Sequence, residues 1–312
     1  MHSRAHPSDA LVRVAVIIPH LDRVEMTRVC CESLAQQSGP PAHLFVVDNG
    51  STSHTEQELA EACPNAQILR LSTNQGFAAA VNIGIREALK NRDLTHVLLL
   101  NNDTRCPPDA LEQMLNIYAA DERIGLVGCP MIEGLDTTNQ RKVAAGKKLL
   151  RPFMIPISAP PDIVPDYLSG ACLLIKRETL EEIGLLDEGF FFFFEDADFC
   201  RRAQNAGWML SVCSATHIEH FGSSTIRHMG ELEAYSYRAG HIRYLRKHSR
   251  HPLMSAMPAF LFRLAADAIK ARGPALRGSW KGLRAGFEQP LPRPHPSTRT
   301  NSNSHPVRPP QS

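Results

Sequence analysis

Four short apolar runs recur in the first third of the chain, and polar residues follow closely on each. "VRVAVII" (12–18) reads as a strand ended by Pro19, with Asp22 just beyond. "HLFVVDNGS" (43–51) carries Asp48 at its end, "AQILRLS" (66–72) is followed by Asn74, and "THVLLLNND" (95–103) closes on Asp103. Between them, residues 24–37, 55–62 and 76–91 read as helices. Strands alternating with helices predict a parallel sheet with crossover helices. In such open sheets, ligands bind outside the carboxyl ends of the strands. Turns favour Asp and Asn on their own account, so one such residue says little. Four at the same edge point to a site.

Beyond residue 124 the alternation loosens. "IGLVGCPMI" and "DYLSGACLLIK" read as strands, and the Lys-, Arg- and Pro-rich stretch between them (141–165) reads as a loop on the site side. Residues 231–248 form a basic helix, and 253–288 a further apolar and basic helical stretch. The expected division is a flexible N-terminus (1–10), one α/β domain (11–228), a C-terminal helical region (229–288) and a tail (289–312) too polar to bury itself. A net charge of +2 gives no argument for nucleic acid as a partner. Eight scattered cysteines, none in a C-x-x-C pair, read as reduced thiols of a cytoplasmic protein. The first ten residues lack the apolar segment of a secretion signal. No apolar run approaches the roughly 18 residues of a membrane span.

There is no G-x-G-x-x-G, P-loop or G-x-S-x-G. That argues against simple NAD binding, Walker-type ATP hydrolysis and α/β-hydrolase chemistry. "LLLNNDT" (98–104) places one acid among amides at a strand end, a pattern suited to Mg²⁺ or Mn²⁺ because hard cations take oxygen ligands. "GFFFFFEDADFCRR" (189–202) sets five phenylalanines against three acids. If extended, that run sends Phe190, Phe192 and Phe194 to one face and Phe191 and Phe193 to the other. Glu195 opens a helix that stops at Gly207. Asp196 and Asp198 lie roughly 200° apart around its axis. Asp198 is placed to pair with Arg202 at i,i+4. Asp196 is then free for chemistry as a general base, with phenylalanines raising its pKa and the helix start lowering it. His217 and His220 form H-x-x-H, but Cys213 is the only further zinc ligand in view, so a histidine serving a diphosphate or its metal is the better reading.

In order and spacing, "VAVIIPHLDR", "VVDNGS", "NQGFAAAVNIGI", "LLLNNDT", "SGACLLIKRETLEEIGLLDEGFFFFFEDADFCRRAQNAGW" and "HFGSS" resemble the family 2 glycosyltransferases of the GT-A fold, especially their rhamnosyltransferase-like branch. The resemblance covers about residues 12–248. It implies a Rossmann-like, mostly parallel central sheet flanked by helices, with a C-terminal helical appendage. It also implies an inverting transfer of a sugar, rhamnose among the options, from a UDP- or dTDP-type donor to a saccharide or lipid-linked acceptor. By this resemblance Asp48 reads the nucleotide base. Pro19, His20, Asn74, Gly76, Asn82 and Asn102 line the donor site, with Ser169 and Gly170 beneath the sugars. Asp103 and His220 serve an Mg²⁺ or Mn²⁺ ion, Asp196 is the catalytic base, and Glu195 is its neighbour in the E-D pair. Asn101 departs from the acid usual at that position, and His20-Leu21-Asp22 from a common "TYN".

Two other classes stand beside this one: a catalytically inactive nucleotide-sugar-binding module, and a sugar-phosphate nucleotidyltransferase, whose Gly-rich basic loop is missing from "PHLDRVE". The basic C-terminal helices have two readings. They lie peripherally on the inner face of a membrane, or they cover the sheet and pair subunits as a homodimer.

Overall fold

The computed structural model describes residues 12–39, 42–134, 140–160, 163–221 and 230–292. The expected flexible N-terminus and nearly all of the tail lie outside these residues, as do the last three residues of "HFGSS". The expected repeat is present as β1 (Val14–His20), α1 (Val24–Ala35), β2 (Ala42–Asp48), α2 (Glu56–Ala62), β3 (Ala66–Arg70), α3 (Phe77–Ala88) and β4 (His96–Leu100). After β5 (Thr104–Arg105) and α4 (Ala110–Asn116) come β6 (Ile124–Gly128) and β7 (Met131–Glu133). Then follow β8 (Arg141–Val143), β9 (Gly146–Leu150), β10 (Ile155–Ser158), β11 (Tyr167–Leu168) and β12 (Cys172–Lys176). The chain continues through α5 (Arg177–Ile183), α6 (Glu195–Asn205), β13 (Met209–Val212) and β14 (Ile218–His220). Three helices close it: α7 (Glu231–His248), α8 (Pro252–Ile269) and α9 (Gly273–Glu288).

The central sheet has the order β13-β6-β12-β4-β1-β2-β3. All its pairings are parallel except those of β12, which runs antiparallel to both β4 and β6. Its strands are apolar on both faces because helices cover both. The period of two divides them: Ala15, Ile17, Val97, Leu99, Leu173 and Ile175 enter one core, and Val14, Val16, Ile18, Leu98, Leu100 and Leu174 the other. Pro19 does not end β1. It pairs with Val47 of β2, beyond the last β1–β4 pair at Ile17, where its missing N–H costs no ladder bond.

Two expectations change. The stretch 141–165 is not a plain loop: β9 pairs antiparallel with β10 and β11, and β8 pairs with β7 in a second small sheet that also holds β14 and β5. The phenylalanine run is not a strand either. It is a bend in which Phe193 and Phe194 take left-handed φ values of 72° and 70°. Such backbone costs an L-residue about 1–2 kcal/mol, so packing must hold it.

That packing is visible. The bend passes over two glycines: a Cβ on Gly76 would strike the Phe191 carbonyl, and one on Gly240 the Phe193 carbonyl. Phe77 N–H donates to the Phe191 carbonyl (2.7 Å). Phe194 is buried against Tyr237, His241 and Tyr244 of α7. Phe190 is buried beneath Arg243 and Lys247. These cations reach two buried acids. Asp187 meets Arg243 and Lys247 at 2.8 Å each. Asp198 meets Lys247 (2.6 Å), His248 (2.8 Å) and, as its i,i+4 spacing predicts, Arg202 (2.9 Å).

Burial alone would raise the pKa of both acids. Bonds from Arg243 and Lys247 outweigh it at Asp187, and those from His248, Arg202 and Lys247 at Asp198, so both are held below the carboxylate range. The stability they add is present above the unfolded value near ~3.9 and is lost as pH falls through the folded values. Asp198→Asn is expected to cost about 3–5 kcal/mol and to flatten the acid limb of a pH–Tm curve. Thermal denaturation across acid pH checks this; an unchanged limb and Tm would mean the network adds nothing.

Candidate active site

A cleft opens at the carboxyl end of the parallel strands. It gathers Pro19 and His20 from β1, Asn74 and Gly76 from the β3–α3 loop, and Asn101, Asn102 and Asp103 from the end of β4. Phe77 and Phe191–Phe193 form an apolar wall, and Leu232, Glu233 and Ser236 of α7 complete the rim. Six of the residues expected at the donor site therefore converge.

Asn49, which the sequence reading passed over, ties this edge together. Its side-chain amide donates to Asn74 Oδ1 (3.0 Å) and the Gly76 carbonyl (3.1 Å), its Oδ1 accepts from Gln75 N–H (2.9 Å), and its own N–H donates to the His20 carbonyl (2.8 Å). Asp48 lies beside the lining, fully buried. Its Oδ1 accepts from Ser51 N–H (2.9 Å) and its Oδ2 stands 3.2 Å from Arg70. Asp22 turns away and caps the N–H groups of Thr52 and Ser53, both at 2.9 Å.

A hydrogen-bond chain runs beneath the cleft. His54 Nδ1 lies 2.9 Å from the Thr55 carbonyl, a pure acceptor, so Nδ1 carries the proton and Nε2 accepts. His20 Nε2 then donates to His54 Nε2 (2.7 Å), and His20 Nδ1 accepts from the Thr27 hydroxyl (2.6 Å). Thr27 Oγ1 accepts in turn from the Asn102 amide (2.9 Å). Burial pushes the His20 pKa down to about 4, which keeps the ring neutral as the chain requires. His20, Asp48 and His54 also stand close enough to share a cation. Both ring nitrogens of His20 are already engaged, and the Arg70 guanidinium beside Asp48 opposes a second positive charge.

The acids form the other wall. Asp103 Oδ1 is 3.1 Å from His220 Nε2, and His220 Nδ1 is 3.5 Å from Glu133. Burial would lower the His220 pKa; Asp103 and Glu133 outweigh it and raise it. Neither buried ring nitrogen has a well-formed hydrogen bond. A carboxylate beside an unsatisfied imidazole, with side-chain amides nearby, fits the donor set of a divalent cation. Lys147 of β9 feels the charges of both Glu133 and Asp196, and burial lowers its pKa. Its charged neighbours thus reach to Asp196, at the start of α6.

There Asp196 is half-buried. Its Oδ2 accepts from Gly170 N–H (3.1 Å) and its Oδ1 from Ala197 N–H (2.7 Å). Gly170 in turn lies against Phe77 of the cleft wall. Ser169 sits just before it, its N–H donating to the Ala145 carbonyl (3.1 Å). Burial lifts the Asp196 pKa to about 6 against those N–H groups. Glu195 is buried, its Oε2 has no partner, and burial followed by the Asp196 charge pushes its pKa well up. The two acids are thus driven apart: Glu195 holds its proton to a higher pH than Asp196, which is mostly ionised at neutral pH. Asn82 does not join the cleft. Its amide donates to the Leu186 carbonyl (2.8 Å) and to Glu188 (3.0 Å), and its Oδ1 accepts from Leu186 N–H (3.1 Å), so it pins α3 to the loop before the phenylalanines.

Comparison with known proteins follows the same outline. The model of the Glycosyl transferase family 2 matches residues 15–184. The N-acetylglucosaminyl-diphospho-decaprenol L-rhamnosyltransferase of Mycobacterium tuberculosis is 27% identical over 271 residues, 78% of this chain and 86% of that protein. The dTDP-rhamnosyl transferase RfbF of Shigella flexneri is 22% identical over 218 residues, 69% of this chain and 71% of that protein. Among solved structures, GalNAc-T7 with UDP, GalNAc and Mn²⁺ superposes with a TM-score of 0.62 at 13% identity, covering 90% of this chain and 57% of that one. The architecture is the GT-A fold.

Because the folded chain retains the Glu195 proton and the unfolded chain releases it, the stability this group allows is full below ~4.3 and declines as pH rises toward the folded value. Glu195→Gln removes the decline. Its Tm is expected to exceed that of the wild type by a margin that widens as pH rises above ~4.3, as thermal melts at several pH values would record. A variant less stable throughout would show an ionised, paired Glu195.

Proposed function

The chain belongs to the family 2 glycosyl transferases, and from that premise we propose that it transfers a sugar, rhamnose first among the options, from a UDP- or dTDP-type donor to a hydroxyl of a saccharide or lipid-linked acceptor. The observation that carries this reading is Asp196, partly desolvated at a helix start, held by two backbone N–H groups and still ionised at neutral pH. The rhamnosyltransferase relatives support the sugar, and the eight free, buried cysteines suit a reducing cytoplasmic compartment.

In this reading the nucleotide lies along Asp48, Asn49 and the Asn74–Gly76 loop. The diphosphate lies toward Asn102 and Asp103, and Phe191–Phe193 exclude water from one side. Asp196 takes the proton of the acceptor hydroxyl, whose oxygen attacks the anomeric carbon as the bond to the diphosphate oxygen breaks. One displacement inverts the centre, so one base suffices, in contrast to the carboxylate pair of a retaining hydrolase. Asp103 and His220 would hold Mg²⁺ or Mn²⁺, which supplies Lewis-acid neutralisation of the leaving diphosphate. Neutral Glu195 leaves Asp196 as the single nearby charge of the pair. Asn101, where relatives of this type carry an acid, favours one further reading, a module that binds the donor without transferring it.

A thermal-shift panel of dTDP-, UDP- and GDP-sugars with and without Mn²⁺ is expected to single out one nucleotide. A ligand at about 100 times its Kd adds ~2.7 kcal/mol of stability. Asp196→Asn is expected to keep that shift and to lower transfer by about 100- to 10,000-fold, and EDTA to suppress wild-type transfer. Wild-type transfer by Asp196→Asn would remove the assignment; no transfer with any donor would favour the binding module.

A further inference from the structure

Helix α8 turns the wrong face outward for a helix covering a core. Met254, Pro258, Leu261, Phe262, Ala265 and Ile269 are all exposed, and their spacing places them on one stripe about 100° wide. Ile269 is 86% exposed, Phe262 77% and Met254 74%. The opposite side holds Ala256, Phe260 and Asp267, buried against α7 and α9. Trp280 of α9 meets Phe260 edge-on and is itself exposed, adding an aromatic beside the stripe. The sequence expectation that no run matches a membrane span also needs correction. By length and mean hydropathy (18 residues, 1.2), α8 is apolar enough to cross one.

Crossing is nonetheless disfavoured. Asp267 is buried and paired with Arg263 at 2.8 Å on the same helix, and Phe260 packs under Arg238 of α7, so spanning would strip the Phe260 contact and carry two charges into hydrocarbon. Lying in the interface requires neither. The charge around the stripe selects the kind of surface. Residues 250–288 hold seven Arg and Lys against two acids, with Arg250 before the helix and Lys270 and Arg272 at its end. Two such faces would repel each other as a dimer, whereas an anionic lipid surface attracts both the cations and the apolar stripe.

We propose that α8 is an interfacial docking helix: its Met254–Ile269 stripe inserts at the headgroup boundary of an anionic membrane while the flanking Arg and Lys meet lipid phosphates. The seat is rigid. Gly278, Gly282 and Gly286 bring α9 against the α7 backbone, where a Cβ would collide. The first two turns of α7 rim the cleft. On the transfer reading, docking therefore carries the cleft to the surface where a lipid-linked acceptor is held. The docking itself rests on the C-terminal helices alone.

The test is flotation of the full chain with vesicles of phosphatidylcholine alone or mixed with phosphatidylglycerol, for the wild type and for Phe262→Ser/Ile269→Ser. Both changed residues are exposed, so the variant is expected to keep the wild-type Tm. The wild type should float with the mixed vesicles, at least ~10-fold less with phosphatidylcholine alone, and the variant at least ~10-fold less than the wild type. Equal flotation of both proteins, or none, would overturn the proposal. So would a wild-type dimer in sedimentation velocity that the variant splits, since a second copy would then cover the stripe. The variant should transfer to a water-soluble acceptor at the wild-type rate. Normal flotation with no transfer by either protein would sink the transfer reading and leave the docking intact.

Discussion

Two buried aspartates, Asp187 and Asp198, hold four cationic or basic partners, two of which, Arg243 and Lys247, lie over the ring of Phe190, and much of the local geometry hangs on that arrangement. It joins the loop before the phenylalanines, the first turn of α6 and the C-terminal half of α7. Breaking a buried pair leaves a charge without a partner, so the three elements move together or not at all. The left-handed backbone at Phe193 and Phe194 is tolerable because α7 covers it and because Gly76 and Gly240 leave room for it. Once the bend is held, the start of α6 is held, and the positions of Glu195 and Asp196 follow.

The same burial tunes the acids. Asp198 and Asp196 lie two residues apart and titrate in opposite directions, because one faces cations and the other faces backbone N–H groups in a partly dry wall. At Glu195, burial and the Asp196 charge outweigh a bond from its own backbone N–H and raise the pKa. Dryness thus costs stability at one acid and raises the basicity of its neighbour, a trade that suits the proton transfer proposed for Asp196.

Much of the fold was legible because it is written in local periods. Short apolar runs assigned β1, β2 and β4, and the polar strand ends located the cleft. The i,i+4 pairing of Asp198 with Arg202 was readable, and so was the placing of Asp196 away from that pair. What failed was equally specific. Five consecutive phenylalanines resemble a strand, but cross-strand partners make a strand, and here α3 and α7 took those places. Asn82 belongs to the donor segment by position, yet its amide is spent on Leu186. The apolar length of α8 went unread because Arg263 and Asp267 interrupt it.

By itself the sequence determined the order of the sheet-forming repeat, the edge where polar groups collect and the family resemblance, since each rests on neighbours a few residues apart. Only the tertiary structure decided that His220 stands between Asp103 and Glu133, and that Lys147, from a stretch read as a loop, feels the charges of both Glu133 and Asp196. Only it decided that β12 runs against its neighbours and that the apolar face of α8 points outward. These depend on contacts between residues tens to a hundred positions apart. Such contacts are chosen by which surfaces remain to be buried once the local elements have formed, and no local pattern records that choice.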